Sequence, residues 1–130
     1  MSVTVVLIVE DDTLLRMLTV DVVEEAGFEA IEAADADAAI SLLECRPDIA
    51  LLLTDIDMPG SMSGLKLAHA ARDRWPPIKI LIVSGHVRPQ PIELPWGARF
   101  VAKPCHSASL IAELRALDCS EQLDGNSKRL

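Results

Sequence analysis

The chain has 130 residues, half of them apolar, and 20 acidic against 12 basic side chains give it a formal net charge of −8. That length suits one domain with a real core, and that apolar content excludes disorder over the whole chain. The acidity argues against general binding to nucleic acid or to an anionic membrane, both of which need a basic surface, and leaves room for a basic protein partner or a bound cation. Cys45, Cys105 and Cys119 are odd in number and widely spaced, with no CxxC pair, so free thiols in a reducing compartment are expected. The N-terminal apolar run of about seven residues is too short for a membrane span. It has neither the basic leader nor the cleavage site of a signal peptide, and a cytoplasmic location is the expectation.

Residues 4–9 form a continuous β-branched and leucine run, the pattern of a strand buried on both faces. Asp12-Thr13 offers a helix cap, Leu14, Leu15, Leu18, Val22 and Val23 recur at helical spacing, and Gly27 suits the position just past the helix end. A short strand is predicted over 28–33. A second helix follows, capped by Asp35 or Asp37 and reaching about Arg46, with Ala38, Ala39, Leu42 and Leu43 on its buried side. Residues 49–54 are the most apolar stretch and read as a central strand. A third helix, carrying Leu65, Leu67, Ala68, Ala71 and Trp75, is stopped by Pro76-Pro77. Strands are predicted over 78–83 and 98–102, then a last helix from a Ser107 cap to about Leu117.

Strands alternating with helices imply a parallel sheet covered on both sides. The rhythm fails once. Between the fourth and fifth strands stand Pro89, Pro91 and Pro95, and an interior proline costs a helix about 3 kcal/mol. A loop or one short turn is predicted there. One domain over 1–118 is expected, with a polar, flexible tail over 119–130.

In an open parallel sheet, ligands sit outside the carboxyl ends of the strands. Those ends carry Glu10, Asp11 and Asp12; Asp55; Ser84; and Lys103. Adjacent acids repel unless a cation offsets them, and Mg²⁺ suits a few carboxylates that leave several waters in place. Asp12 reads first as a helix cap. Asp55 can be a metal ligand or a nucleophile towards phosphorus. Asp57 lies in the following loop, and its backbone carbonyl is placed to complete a cation's coordination. Lys103 can pair with a carboxylate or neutralise a phosphoryl oxygen. The Lys103-Pro104 bond has trans as its default, with cis open. His86, two residues past Ser84, falls near the same edge. His69 reads as a surface residue, and Trp75 and Trp96 as packing at the domain edge. The stretch Gly60–Gly64 lacks the phosphate-cradling P-loop pattern.

These pieces together resemble the receiver domain of bacterial two-component response regulators. The matching residues are Val6-Leu7-Ile8-Val9-Glu10-Asp11, then Thr54-Asp55-Ile56-Asp57-Met58-Pro59-Gly60 with Gly64, then Ser84, and last Phe100-Val101-Ala102-Lys103-Pro104, covering about residues 4–117. The resemblance implies a flavodoxin-like five-stranded parallel sheet of order 2-1-3-4-5. It implies that Asp55 accepts a phosphoryl group from a sensor histidine kinase or a histidine phosphotransfer protein. It makes Glu10, Asp11, Asp55 and the Asp57 carbonyl the site for Mg²⁺ (or Mn²⁺). Lys103 and Ser84 would hold phosphoryl oxygens, and Ser84 and Phe100 would form the switch. Asp57 and His86, beside the attacking water's path, would tune the phosphoryl lifetime.

Four departures stand out. The loop after Asp55 is one residue longer than the common form. The switch hydroxyl is Ser and not Thr. Phe100 replaces the frequent Tyr. The fourth helix, part of the family's output and dimerisation face, gives way to the proline-rich segment. With no DNA-binding or enzymatic domain in the sequence, the expected role is a stand-alone phosphoryl relay or a regulator that binds a downstream protein directly. Three alternatives use the same acids: a receiver-like module that binds partners without phosphorylation, a Toprim-like nucleic-acid enzyme, and a haloacid-dehalogenase-like phosphatase.

Overall fold

The computed structural model describes residues 3–56, 63–85, 89–103 and 106–128. Five strands, β1 (Val5–Val9), β2 (Glu29–Ala33), β3 (Ile49–Asp55), β4 (Lys79–Ser84) and β5 (Arg99–Ala102), form one parallel sheet in the order β2-β1-β3-β4-β5. The helices are α1 (Thr13–Glu25), α2 (Ala36–Cys45), α3 (Gly64–Arg74) and α4 (Ser107–Lys128). This is the parallel sheet expected from the alternation, in the flavodoxin-like order that the resemblance implies.

Side chains alternate across each strand, so the sheet has two packed faces. Val5, Leu7, Val9, Leu52, Ile80 and Ile82 pack beneath the alanine-rich sides of α2 and α3. Val6, Ile8, Leu51, Leu53, Leu81 and Val83 pack against Val23 of α1 and Leu110, Leu114 and Leu117 of α4. Caps match the local sequence. Asp12 accepts from the Leu15 amide at 3.0 Å and Asp35 from the Ala38 amide at 2.8 Å. Gly27 takes the left-handed conformation that ends α1, with φ 97°.

Between β4 and β5 the described residues, 89–98, make one 3-10 turn, Pro91–Glu93. Pro91 opens it, where a missing N–H costs nothing. The Glu93 side chain accepts from the Gln90 amide at 2.6 Å.

The structure refines one expectation and corrects two. Of the proposed α1 stripe, only Val23 is fully buried, whereas Leu14, Leu15 and Leu18 are 65%, 42% and 52% exposed. Trp96 does not pack at the domain edge. It is 70% exposed, with the Arg72 guanidinium 5.4 Å from its ring centre. Finally, α4 continues through Lys128 instead of ending near Leu117. Residues 118–128 are polar but contain no proline. Polarity removes the burial pattern without removing the capacity for helical hydrogen bonds.

Candidate functional site: an acidic cluster bridged by Lys103

Register brings the site together. Glu10 continues the β1 row of Val6 and Ile8, Asp55 ends the β3 row of Leu51 and Leu53, and Lys103 continues the β5 row of Val101, all towards the α1/α4 face. Each is pinned by backbone. The Glu10 amide donates to the Ala33 carbonyl at 3.2 Å, and the Lys103 amide to the Ser84 carbonyl at 2.9 Å. Glu10 and Asp55 are each only 7% exposed.

The Lys103 ammonium donates to Asp55 Oδ2 at 2.8 Å and to Glu10 Oε1 at 3.1 Å. Glu10 Oε2 also accepts from the Asp12 amide at 3.2 Å. Burial pushes the Glu10 carboxyl above its ordinary range, and the neighbouring Asp55 charge adds to the rise. The Asp12 amide and Lys103 offset this in part. Burial works against the Lys103 ammonium, but its bonds to Asp55 and Glu10 outweigh that and raise its pKa.

One carboxylate oxygen from each of Glu10, Asp11 and Asp55 lies within 4.8 Å of the other two. An all-oxygen donor set, two members buried and Asp11 exposed, fits a hard divalent cation that keeps part of its water shell. Lys103 alone cannot neutralise three carboxylates.

Two glycines make room. A Cβ on Gly64 would lie 1.6 Å from the Asp55 carbonyl oxygen, so only glycine lets α3 start against the end of β3. The Gly64 amide donates to the Ile56 carbonyl at 3.0 Å. A Cβ on Gly85 would meet the Lys103 stem at 3.4 Å.

Ser84 is buried and pairs with Ala102, two residues along from the Ile82–Phe100 pair. Ser84 and Phe100 therefore share a row on the α2/α3 face, where Phe100 is half-buried against the core. Asp57, His86 and Pro104 lie outside the described residues. His69 is exposed, as expected, and its Nε2 donates to the Glu93 carbonyl at 2.6 Å.

Beside the acids runs a groove of about 730 Å³ between α1 and α4. Leu15, Leu18 and Val22 form one wall and Ser107 and Leu110 the other, with Ile8, Leu53 and Val83 as floor and Glu10, Asp55 and Lys103 at one end. Sequence reasoning read those α1 leucines only as marks of helical spacing. It also passed over Arg16, whose NH1 donates to the Glu10 carbonyl at 2.8 Å and whose Nε donates to Glu32 Oε1 at 3.1 Å. The spacing of Arg16 four residues after the Asp12 cap was the available signal, but nothing in it singles out a carbonyl as partner.

Residues 6–115 match the family model described as the response regulator receiver domain. The response regulator receiver protein CpdR of Brucella abortus is 32% identical over 116 residues, which cover 86% of this chain and 94% of CpdR. The phosphate regulon transcriptional regulatory protein PhoB of Klebsiella pneumoniae is 34% identical over 118 residues, but this chain spans only 50% of PhoB. A CheY-like response regulator receiver domain protein from Methanospirillum hungatei superposes with a TM-score of 0.80 at 28% identity, over 99% of this chain and 100% of that one. Receiver domains are signalling domains rather than conventional enzymes, which leaves the Toprim-like and phosphatase-like alternatives without support. The chain belongs to the response regulator receiver domain family and so to two-component signalling.

Proposed function

We propose that this chain accepts a phosphoryl group on Asp55 and acts without an attached output domain, as a relay or by binding a downstream protein directly. The observation that carries this reading is the bridging of Asp55 and Glu10 by one buried-edge lysine, with Asp11 completing a three-carboxylate cluster.

An Asp55 carboxylate oxygen attacks phosphorus of a phosphohistidine. The O–P bond forms, the P–N bond breaks, and the imidazole leaves with its electron pair and takes a proton. Strand register and the Lys103 bond would hold the Asp55 carboxylate for in-line attack, so that positioning would do most of what catalysis requires. Lys103 already touches the acceptor oxygen and can follow the charge onto a phosphoryl oxygen. Glu10, Asp11, Asp55 and the Asp57 carbonyl would hold Mg²⁺ or Mn²⁺, which when bound supplies neutralisation of the incoming phosphoryl charge. Ser84 and Phe100, in one row behind the site, are the residues we assign to the switch, and Asp57 and His86 the residues we assign to the phosphoryl lifetime.

The donor is a histidine kinase or histidine phosphotransfer protein. Exposed Leu14, Met17 and Leu18 beside the acids offer its helix an apolar landing surface. Incubation with Mg²⁺ and acetyl phosphate, followed by intact-mass measurement, tests the reading. A phosphate adduct on the wild type that is absent in Asp55→Asn supports it. No adduct on a folded wild type would overturn it in favour of phosphorylation-independent binding.

A further inference from the structure

Arg16 is the least exposed charged side chain of α1, with only 17% of its side chain open to solvent, and it joins α1 to two other segments. It stands in the first turns of the helix. NH1 donates 2.8 Å to the backbone carbonyl of Glu10, the first residue past β1. Nε donates 3.1 Å to Glu32 Oε1, on the edge strand β2. The guanidinium fork thus spans from the edge strand to the backbone that carries Glu10 and Asp11.

That backbone needs a tether. Past Glu10 the chain leaves the sheet, since the Glu10 amide makes its last bond to β2, and Asp11 is exposed. The Glu10 carbonyl opens the peptide plane whose amide belongs to Asp11. Holding that carbonyl fixes the rotation of the plane and so the direction in which Asp11 leaves it. A planar fork with two anchored donors does this better than a single-point contact, because two bonds fix orientation as well as distance.

Coulomb's law alone would assign Arg16 the opposite effect. A positive charge one residue from three clustered carboxylates disfavours a divalent cation among them. Glu32, half-exposed, takes up much of that charge while aiming the fork.

We propose that Arg16 is a positioning residue for the cation site: through the Glu10 carbonyl it fixes the turn bearing Glu10 and Asp11, and Glu32 aims it. This rests on the reading of the acids as a cation site for phosphoryl transfer.

The test is Mg²⁺ affinity, measured by calorimetry on the full chain for wild type, Arg16→Met and Glu32→Gln, at low and high salt. Far-UV circular dichroism in EDTA reports folding of each variant. Arg16→Met is expected to weaken Mg²⁺ binding by about tenfold, the loss typical when a group that orients a metal ligand is removed. Removing a positive charge with no change in geometry would tighten binding instead, so the sign of the change separates positioning from charge. Glu32→Gln, at a half-exposed position where the fold is preserved, is expected to weaken binding on the order of a few-fold. Part of that loss is expected to persist at high salt, where screening removes the purely electrostatic share.

Tighter or unchanged binding in Arg16→Met, or a Glu32→Gln loss that vanishes entirely with salt, would overturn the proposal, as would a wild type that binds no Mg²⁺. Should Arg16→Met fail to fold, Glu32→Gln alone decides by its salt dependence. The parent reading stands or falls separately, on whether wild type forms the Asp55 adduct with acetyl phosphate.

Discussion

The carboxyl edge of the sheet and the connection from β4 to β5 follow one another along the chain but are held by different means. At the edge, Glu10, Asp55 and Lys103 converge because parallel register puts their rows on one face, and backbone hydrogen bonds fix each position. The connection is held by α3 side chains reaching across. His69 Nε2 donates to the Glu93 carbonyl at 2.6 Å, and the Arg72 guanidinium lies over Trp96 while NH1 serves the Pro76 and Ile78 carbonyls at 2.6 and 2.7 Å. A region fixed by ladder geometry tolerates few changes. One fixed by side-chain hooks can exchange a helix for a proline-rich turn without moving the chemistry.

Gly64→Ala would break that contrast most severely, because α3 would have to leave the Asp55 carbonyl. A loss of ~3 kcal/mol or more in urea unfolding is expected, together with loss of phosphate uptake. A variant as stable as wild type would show that the edge can yield after all.

Lys103→Met comes next. It leaves Glu10 and Asp55 side by side without their shared cation, at a cost of about 2 kcal/mol at neutral pH, between the exposed and buried limits for broken ion pairs. Because the folded Lys103 pKa is raised, its contribution is fully present below the ordinary lysine value and is lost as pH rises through the folded one. The gap between variant and wild type is also expected to narrow in acid, as Glu10, whose pKa is raised, takes up a proton and stops repelling Asp55. Stability measured against pH for both proteins checks this, and a pH-independent gap would contradict the charge argument.

Arg72→Ala should have the smallest effect. It removes two carbonyl bonds and the Trp96 stacking, but also a buried Nε that has no hydrogen-bond partner. About 1 kcal/mol of destabilisation is expected, with the acetyl phosphate rate at Asp55 within about twofold of wild type, since less than half a kcal/mol reaches the site. A large rate change would show the two regions to be mechanically joined.

Much of the edge was legible in the sequence because strand ends are marked by apolar runs that stop at a charge, and parity then places Glu10, Asp55 and Lys103 together. Pro89, Pro91 and Pro95 likewise announced the missing helix through backbone chemistry alone. What escaped depended on where an element lies relative to its neighbours. The leucines of α1 have helical spacing whether sheet or solvent lies beneath them. Arg16 and Arg72 act on carbonyls, which every residue has, so no residue type in the sequence signals the partner. The length of α4 escaped because the sequence of residues 118–128 carries no apolar period to read.

The absence of free volume between Gly64 and the Asp55 carbonyl has a kinematic consequence. Two bodies in hard contact move as one along the line that joins them, so displacing the end of β3 towards α3 displaces the first turn of that helix. The helix is stiff over its 11 residues, and it carries His69 and Arg72, the hooks of the β4–β5 connection, on its far turns. One missing methyl group therefore ties the first turn of α3 to the end of β3 that carries Asp55.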